Sequence, residues 1–260
     1  MFITPSMNTG IIIQARLSSQ RLPNKVIRPI FEDKSILDII IIRLKRINPI
    51  FPIIIATGNL EKNNGLYLYA SENNIPFFSG SEDDVLSRFI QCSKEFNLQR
   101  VLRVCADNPF LDYLLAENLL SISVSGEYDY TSYNINGKPA ILSHYGFFSE
   151  VVTYGALIKA YSNSINASDK EHVTPYIYNH PKEFSLMFEP APIEIANEGK
   201  IRLTVDTETD FENAAKTLRN VVKEKGDLFY SFEDVLSVVR NMEDPIRQSM
   251  VEQILINSKS

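Results

Sequence analysis

Short segments rich in aliphatic side chains alternate with longer amphipathic segments along the first 125 residues of the chain. Residues 11–13, 52–57 and 100–105 are of the first kind, and each is followed by a polar turn and then by a segment with helical periodicity. Strands that are apolar on both sides are typical of a parallel sheet with both faces covered. The alternation therefore predicts an α/β fold with a mostly parallel central sheet and helices on both faces.

The same patterns predict the individual elements and the domain organisation. We expect strands at residues 11–13, 52–57, 76–78, 100–105, 128–132, 150–153, 184–189 and 201–205. We expect helices at residues 35–47, 61–73, 82–96, 112–124, 154–161, 171–179 and 209–223, and two more within 231–257. We expect one domain over residues 1–260, with a core over about 10–225, an irregular region over about 126–200 and a helical C-terminal extension over about 226–260.

Composition excludes several classes of function. A formal net charge of −6 and a hydrophobic content of 44% indicate a globular protein without a nucleic-acid partner. The two cysteines, Cys92 and Cys105, form no metal-binding or disulfide pattern. Residues 1–10 lack the basic and then apolar order of a signal peptide, and the most aliphatic stretch is far shorter than the roughly 20 residues of a membrane span. We therefore expect a cytoplasmic protein with no membrane insertion.

The loop after the first predicted strand concentrates positive charge in an acidic chain. Its sequence, QARLSSQRLPNK, places Arg16, Arg21 and Lys25 among two serines. Guanidinium groups bind phosphate oxygens in pairs, ammonium groups act as point charges, and hydroxyl groups add donors, so the loop suits a polyphosphate. It contains neither a P-loop nor a GxGxxG motif, so side chains would hold the phosphates. The alternative is a solvated surface loop.

Two aspartates follow apolar segments at the same predicted edge of the sheet. Asp107 comes after RVLRVCA and Asp206 after IRLTV. Two carboxylates together with phosphate oxygens are a suitable ligand set for a partly hydrated Mg²⁺. The alternative is that each aspartate caps the helix that follows it. For the helix predicted from residue 209, Thr207 or Thr209 is the better cap, which leaves Asp206 free.

Five segments resemble the motifs of one family, in the family's order, over most of residues 10–215. They read IIIQARLSSQRLPNKVIRPI, PFFSGSEDDVLSRF, RVCADNPFLD, KEHVTPYIYNHP and IRLTVDTETDF. By these motifs the chain resembles the SpsF-like cytidylyltransferase family, which is related to the CMP-Kdo and CMP-sialic acid synthetases. The resemblance implies a Rossmann-like nucleotide-diphospho-sugar transferase fold, a nucleotidyltransferase domain and a homodimer. It also implies Mg²⁺-dependent transfer of CMP from CTP to a sugar-like, acidic acceptor, with release of pyrophosphate, for a surface polysaccharide.

The resemblance also assigns residues to roles. The implied catalytic residues are Arg16, Lys25, Asp107 and Asp206, and the two aspartates are the implied Mg²⁺ ligands. The implied nucleotide-binding residues are Ala15, Arg16, Ser19, Arg21, Lys25, Thr57, Asn59, Gly80, Ser81, Asp84, Val85, Arg88 and Ala106. The acceptor-binding candidates are Tyr133, Asn134, His144, Glu150, Glu171 and His172. Residues 137–152 depart from the family pattern in the segment that faces the acceptor, so the sequence does not define the acceptor.

Two alternative functions remain open at this point. A glycosyltransferase that uses a sugar nucleotide would carry a D-x-D metal motif after a strand, whereas the EDD of residues 82–84 opens a predicted helix and the EYD of residues 127–129 precedes a predicted strand. A non-catalytic nucleotide-binding module would have no need for both the basic loop and the two aspartates. The sequence therefore favours the cytidylyltransferase over either alternative.

Overall fold

The computed structural model describes residues 8–257. Residues 1–7 and 258–260 lie outside the described residues. The prediction that residues 1–10 form no signal peptide therefore falls mostly outside them. The strands are β1 (Thr9–Gln14), β2 (Pro29–Phe31), β3 (Lys34–Ser35), β4 (Ile53–Thr57), β5 (Phe77–Ser79), β6 (Arg100–Cys105), β7 (Tyr130–Ile135), β8 (Lys138–Pro139), β9 (Glu150–Thr153) and β10 (Leu186–Pro190). The helices are α1 (Ile36–Leu44), α2 (Leu60–Glu72), α3 (Val85–Glu95), α4 (Tyr113–Ser125), α5 (Tyr154–Asn163), α6 (Ala167–His172), α7 (Pro175–Asn179), α8 (Ile193–Ala196), α9 (Glu208–Lys225), α10 (Phe232–Arg240) and α11 (Asp244–Asn257).

The central sheet is mostly parallel, as predicted. Its strand order is β10-β7-β9-β6-β1-β4-β5, and β8 pairs with β7. Strands β5, β4, β1 and β6 run parallel to one another, while β9 is antiparallel to both β6 and β7. The chain leaves β1 toward β4 and β5 and then returns to the other side of β1 with β6. The strand order thus reverses at β1, and such a reversal is where open α/β sheets bind ligands beyond the carboxyl ends of their strands.

The aliphatic strands are apolar on both sides because helices cover both faces of the sheet. Ile11 and Ile13 point into one core, which α1, α2, α4, α9 and α10 complete. Ile12, between them, points into a second core formed with α3, α5 and α7. Successive side chains of a strand alternate between faces, so a run of three isoleucines anchors β1 in both cores at once. All three are fully buried.

Side chains that precede the helices fix where several of them begin. Ser35 and Asp38 form a reciprocal capping box at the start of α1. Thr207 and Asp210 form a second box at the start of α9, so Thr207 is the cap, as the sequence suggests. Asp112 accepts hydrogen bonds from the first turn of α4 and from the backbone N–H of Phe232. These caps satisfy N–H groups that a helix leaves unpaired, and neither Asp107 nor Asp206 is the cap of a helix.

Two sequence predictions in the second half of the chain were wrong. Residues 201–205 form no strand, although all of them except Thr204 are buried. The N–H groups of Leu203 and Thr204 both donate to the carbonyl of His144, and that of Val205 donates to the carbonyl of Asp107, so no ladder forms. The predicted helix over 171–179 is two helices, α6 and α7, because Val173 between them has a φ of 74°, which no helix allows. Over residues 8–257, no helix is both long and apolar enough to cross a membrane.

Candidate active site

A cavity of about 670 Å³ lies beyond the carboxyl ends of β1 and β6. Twelve of the residues that the sequence assigns to a site line it: Ala15, Arg16, Ser19, Arg21, Lys25, Val85, Arg88, Ala106, Asp107, Glu171, His172 and Asp206. They come from five separate parts of the chain, which only the fold brings together. The cavity thus collects the basic loop, both aspartates, the start of α3 and the end of α6.

The basic loop, residues 15–25, is anchored at several points. Leu17 and Leu22 are buried in the core. The backbone N–H of Leu17 donates to Oδ1 of Asn63, at 2.8 Å, and Asn63 is fully buried in α2. The hydroxyl of Ser18 donates to Glu82, also at 2.8 Å. The loop is therefore held in shape before any ligand binds, which reduces the conformational entropy that binding would cost.

The three cations of the basic loop have different surroundings. Arg16 is exposed, and no residue in the described part of the chain pairs with its guanidinium. Arg21 contacts Asp206 at 3.2 Å and donates to the side chain of Asn257, at the end of α11. Lys25 is buried, and its ammonium donates to the carbonyl of Val205 at 2.5 Å and to Asp206 at 3.1 Å. Arg16 is thus free to take a ligand, whereas Lys25 ties the loop to the segment that carries Asp206.

Asp206 is surrounded by positive charge. Its Oδ1 contacts Lys25 and Arg21, and its Oδ2 accepts from Arg202 at 2.8 Å. Burial acts to raise the pKa of Asp206, but the charges of Lys25, Arg21 and Arg202 outweigh it, and the net pKa is lowered. Asp206 is therefore ionised well below neutral pH.

Asp107 is in the opposite electrostatic situation. Burial raises its pKa, the charge of Lys25 lowers it, and the negative charge of Asp206 raises it, with a net upward shift. Among the described residues, no other residue donates a hydrogen bond to the Asp107 carboxylate. The carbonyl of Asp107 accepts the backbone N–H of Val205 at 2.9 Å, which brings the two aspartate-bearing segments together. Asp107 is thus a carboxylate that lacks a partner.

The two aspartates fit a divalent cation that keeps part of its hydration shell. The described residues contain no group of three or more His, Cys, Asp and Glu side chains that could enclose a metal. Mg²⁺ is usually held by one or two carboxylates together with phosphate oxygens and waters, and it needs no such group. Asp107 carries the unneutralised charge that such an ion would balance. Asp107 and Asp206 are therefore the residues that could hold Mg²⁺.

Glu82 organises one wall of the cavity, although the sequence assigns it no role. Its carboxylate accepts from Ser18, from the backbone N–H of Asn59 and from the Asn63 amide. Burial acts to raise its pKa, but these hydrogen bonds and nearby cations give a net lowering. A Cβ at Gly58 would lie 1.9 Å from the Glu82 carboxylate, so only glycine allows this approach. The segment PFFSGSEDDVLSRF indicated this wall, but nothing in the sequence indicated the contact between Gly58 and Glu82.

Several predicted nucleotide-binding residues lie beside the cavity and do not line it: Thr57, Asn59, Gly80, Ser81 and Asp84. Asn59 and Asp84 are the N-caps of α2 and α3. The carbonyl of Ser81 accepts from Arg88, which is 3% exposed and also donates to the carbonyl of Glu82. This group therefore shapes the wall around the cavity.

The acceptor-side candidates divide into two groups. Glu171 and His172 line the cavity from the end of α6. Tyr133, Asn134, His144 and Glu150 do not line it. Tyr133 is buried against Phe148, and its hydroxyl pairs with Asn118. The side-chain Oδ1 of Asn134 accepts the backbone N–H of Gly137 in the turn between β7 and β8.

Glu150 belongs to the core instead of an acceptor site. It is fully buried on β9 and forms an ion pair with Arg103. Tyr130 and Thr174 donate their hydroxyls to the same carboxylate. A carboxylate with these partners and no exposed surface reaches no acceptor. Sequence alone could not show this, because an acid on a short strand looks the same whether it faces a buried arginine or a cavity.

Comparisons with known proteins identify one family and two similar sequences. The sequence profile of the family described as Cytidylyltransferase matches residues 10–235. The chain is 34% identical to an uncharacterised protein of Methanocaldococcus jannaschii, over 94% of this chain and 97% of that protein. It is 32% identical to the spore coat polysaccharide biosynthesis protein SpsF of Bacillus subtilis, over 84% of this chain and 88% of SpsF.

Solved structures share the fold. A cytidylyltransferase from Leptospira borgpetersenii serovar Hardjo-bovis superposes with a TM-score of 0.78, at 24% identity, over 94% of this chain and 97% of that one. A CMP:2-keto-3-deoxy-manno-octonic acid synthetase, solved in complex with CTP, superposes with a TM-score of 0.60, at 11% identity, over 82% of this chain and 98% of that one. The predicted Rossmann-like nucleotidyltransferase fold is thus confirmed.

Proposed function

Because this chain belongs to the cytidylyltransferase family, we propose that it transfers CMP from CTP to a sugar-like, acidic acceptor and releases pyrophosphate. An acceptor oxygen forms a bond to the α-phosphorus of CTP, and the bond between that phosphorus and the α,β-bridging oxygen breaks. Pyrophosphate carries away the electron pair of the broken bond. An acceptor hydroxyl gives its proton to solvent water in this step, whereas a carboxylate or phosphate oxygen has none to lose.

The basic loop supplies the charge that such a transfer needs. Arg16, exposed at the cavity and without a partner in residues 8–257, binds the triphosphate and stabilises negative charge that develops as pyrophosphate leaves. Arg21 and Ser19 add donors at the same wall. Lys25 keeps the loop against Asp206 and adds positive charge beneath the phosphates. Positioning and charge stabilisation supply most of the catalysis in reactions of this class.

Asp107 and Asp206 would hold Mg²⁺, which when bound draws charge from the phosphate under attack and orients it. Glu171 and His172 lie at the same cavity and are the residues we assign to the acceptor. Val85, Arg88 and Ala106 line the remaining wall and would border the nucleoside. The CTP complex of the synthetase named above supports CTP as the donor nucleotide.

The observation that carries the proposal is the cavity itself. Five separate segments supply its assigned residues, and three of them bring a pre-shaped cationic loop and two aspartates to the reversal point of the sheet. The name of SpsF further supports a role for the product in a surface polysaccharide. We also propose that the protein works as a cytoplasmic homodimer, with residues 1–260 forming one nucleotidyltransferase domain.

Calorimetric titration with CTP, UTP, ATP and GTP, each with Mg²⁺, tests the nucleotide. Wild type should bind CTP in preference to the other three, and both Arg16→Ala and Asp107→Ala should weaken that binding. A preference for a sugar nucleotide, tested in the same way, would contradict the proposal and favour a glycosyltransferase.

A further inference from the structure

Arg202 is a buried arginine beside the candidate metal site, and nothing in the resemblance gives it a role. Its side chain is 1% exposed, and it stands four residues before Asp206 in the extended segment that follows α8. It does not line the cavity. A guanidinium is always charged, so burying it requires partners in fixed positions. Each of its nitrogens has one.

Two of these nitrogens contact carboxylates that have different surroundings. Nε donates to Oδ1 of Asp210 at 2.9 Å, and Nη2 donates to Oδ2 of Asp206 at 2.8 Å. Asp210 is 4% exposed, and its Oδ2 accepts the backbone N–H groups of Asp206 and Thr207. The buried Asp210 therefore neutralises Arg202 and, at the same time, fixes the backbone from which the Asp206 side chain extends.

The two carboxylate oxygens of Asp206 contact different groups. Oδ1 contacts Arg21 and Lys25, which line the cavity. Oδ2 contacts Arg202, which lies behind the cavity wall. A planar guanidinium that bridges Asp206 and Asp210 holds the carboxylate in one orientation. Arg202 is the one hydrogen-bond donor that residues 8–257 give to Oδ2, so without it the carboxylate would be held only through the contacts of Oδ1 with Lys25 and Arg21.

His144 contacts Nη1, the remaining nitrogen of the Arg202 guanidinium. Its Nδ1 lies 2.8 Å from Nη1 of Arg202, and because arginine has only donors, Nδ1 accepts. The carbonyl of His144 also accepts the backbone N–H of Leu203 at 2.8 Å. Gly146 has a φ of 70°, and a Cβ there would lie 3.2 Å from the Leu203 carbonyl. The segment around His144 is thus packed tightly against the segment that carries Arg202.

We propose that Arg202 is a positioning residue that fixes the Asp206 carboxylate in the orientation in which it would hold the metal, and that His144 orients Arg202 for this task. The inference rests on the proposed function, because it assigns the metal to Asp206. His144 belongs to residues 137–152, which depart from the family pattern on the side that the resemblance assigns to the acceptor. In this proposal His144 acts through Arg202, behind the cavity, and does not contact the acceptor.

The test measures how strongly a metal tightens nucleotide binding, with no turnover involved. Binding of CTP is titrated once with EDTA and once with Mn²⁺ for wild type, Arg202→Lys and Arg43→Lys. Arg43 is a matched control: it is fully buried, its guanidinium donates to three backbone carbonyls and lies over the ring of Tyr230, and it does not line the cavity. Thermal melts of all variants establish that they fold.

Arg202→Lys should lose about 10- to 100-fold of the Mn²⁺-dependent tightening, the range found when the partner of a metal ligand is replaced. Its binding of CTP in EDTA should stay within about threefold of wild type, because coupling to the metal is lost while the phosphate loop is intact. Arg43→Lys should keep the full tightening. Arg202→Lys with wild-type tightening would overturn the inference alone, whereas wild type that binds no CTP would overturn the proposed function and the inference together.

Two variants of His144 keep the test decisive if Arg202→Lys does not fold. His144→Asn retains a side-chain acceptor and should keep most of the tightening, whereas His144→Leu removes the acceptor and should lose part of it. Equal tightening in these two variants would count against the role given to His144 and Arg202.

Discussion

Replacing Arg16 with alanine separates function from stability more cleanly than any other change in the cavity. The side chain is exposed and has no partner within residues 8–257, so its removal breaks no contact of the folded protein. The free energy of unfolding should therefore change by no more than about 0.5 kcal/mol. Turnover should fall on the order of 10²–10³-fold, the loss expected when one preorganised charge no longer stabilises the transition state.

The assay follows pyrophosphate release with saturating CTP and Mg²⁺, beside a urea titration of the same preparations. Arg28→Ala is the matched control, because Arg28 is exposed, stands three residues beyond the loop and pairs with Glu208 outside the cavity. Arg28→Ala should retain wild-type turnover. A loss of about tenfold or less in Arg16→Ala, well below the effect of one electrostatic stabiliser, would refute the role given to Arg16.

Three further predictions concern the residues that hold the site together. Asn63→Ala should lower the free energy of unfolding by about 1–3 kcal/mol in urea titrations, because the buried N–H of Leu17 loses its acceptor. Asn73→Ala, at the exposed end of the same helix, is the control and should have little effect. Equal stabilities of the two variants would argue that Asn63 does not anchor the loop. Glu150→Gln should lower the free energy of unfolding by about 3–5 kcal/mol, since it leaves the buried charge of Arg103 unpaired. Glu208→Gln, in an exposed ion pair, should lower it by less than about 1 kcal/mol. A similar loss of stability in both variants would contradict the core role of Glu150. Asp206→Asn and Asp107→Asn should change stability in opposite directions at neutral pH.

The signs follow from the two pKa shifts. The folded-state pKa of Asp206 is lowered, because the charges of Lys25 and Arg21 outweigh burial. Its stabilisation is therefore fully present above the unfolded pKa of about 3.9 and is lost as the pH falls through the lower folded value. Burial raises the folded-state pKa of Asp107, so its ionised form destabilises the protein above that same unfolded value. Asp206→Asn should thus be less stable than wild type at pH 7 and Asp107→Asn more stable, and thermal melts that show the same sign for both would contradict these assignments.

The sequence was most informative where local pattern and tertiary structure agree. The strand over residues 100–105 has its predicted bounds because aliphatic side chains of the segment are buried on both faces of the sheet. Residues 201–205 have a similar pattern, yet they form no strand, because their backbone meets His144 and Asp107 and no strand partner. Burial and strand pairing leave the same trace in a sequence, so the pattern alone could not separate them.

The candidate site shows the same division. The charged residues of the basic loop and the two aspartates carry their chemistry in their own side chains and positions, so the sequence could identify them. Asn63 holds Leu17, 46 residues away in the chain, and Glu82 holds Ser18, 64 residues away. Arg202 is oriented by His144, 58 residues away. No local spacing encodes such contacts, and only the fold reveals which polar residues hold others in place.

The most direct test of the central claim is pyrophosphate release by wild type with CTP and Mg²⁺, across a panel of acidic sugars, sugar phosphates and neutral sugars. Phosphorus NMR of the product identifies the new bond. We expect release that requires both CTP and an acidic acceptor, with CMP joined to the acceptor through a phosphodiester, a mixed anhydride or a diphosphate. Tight binding of CTP and Mg²⁺ without pyrophosphate release on any acceptor would contradict it and leave a nucleotide-binding module without catalysis.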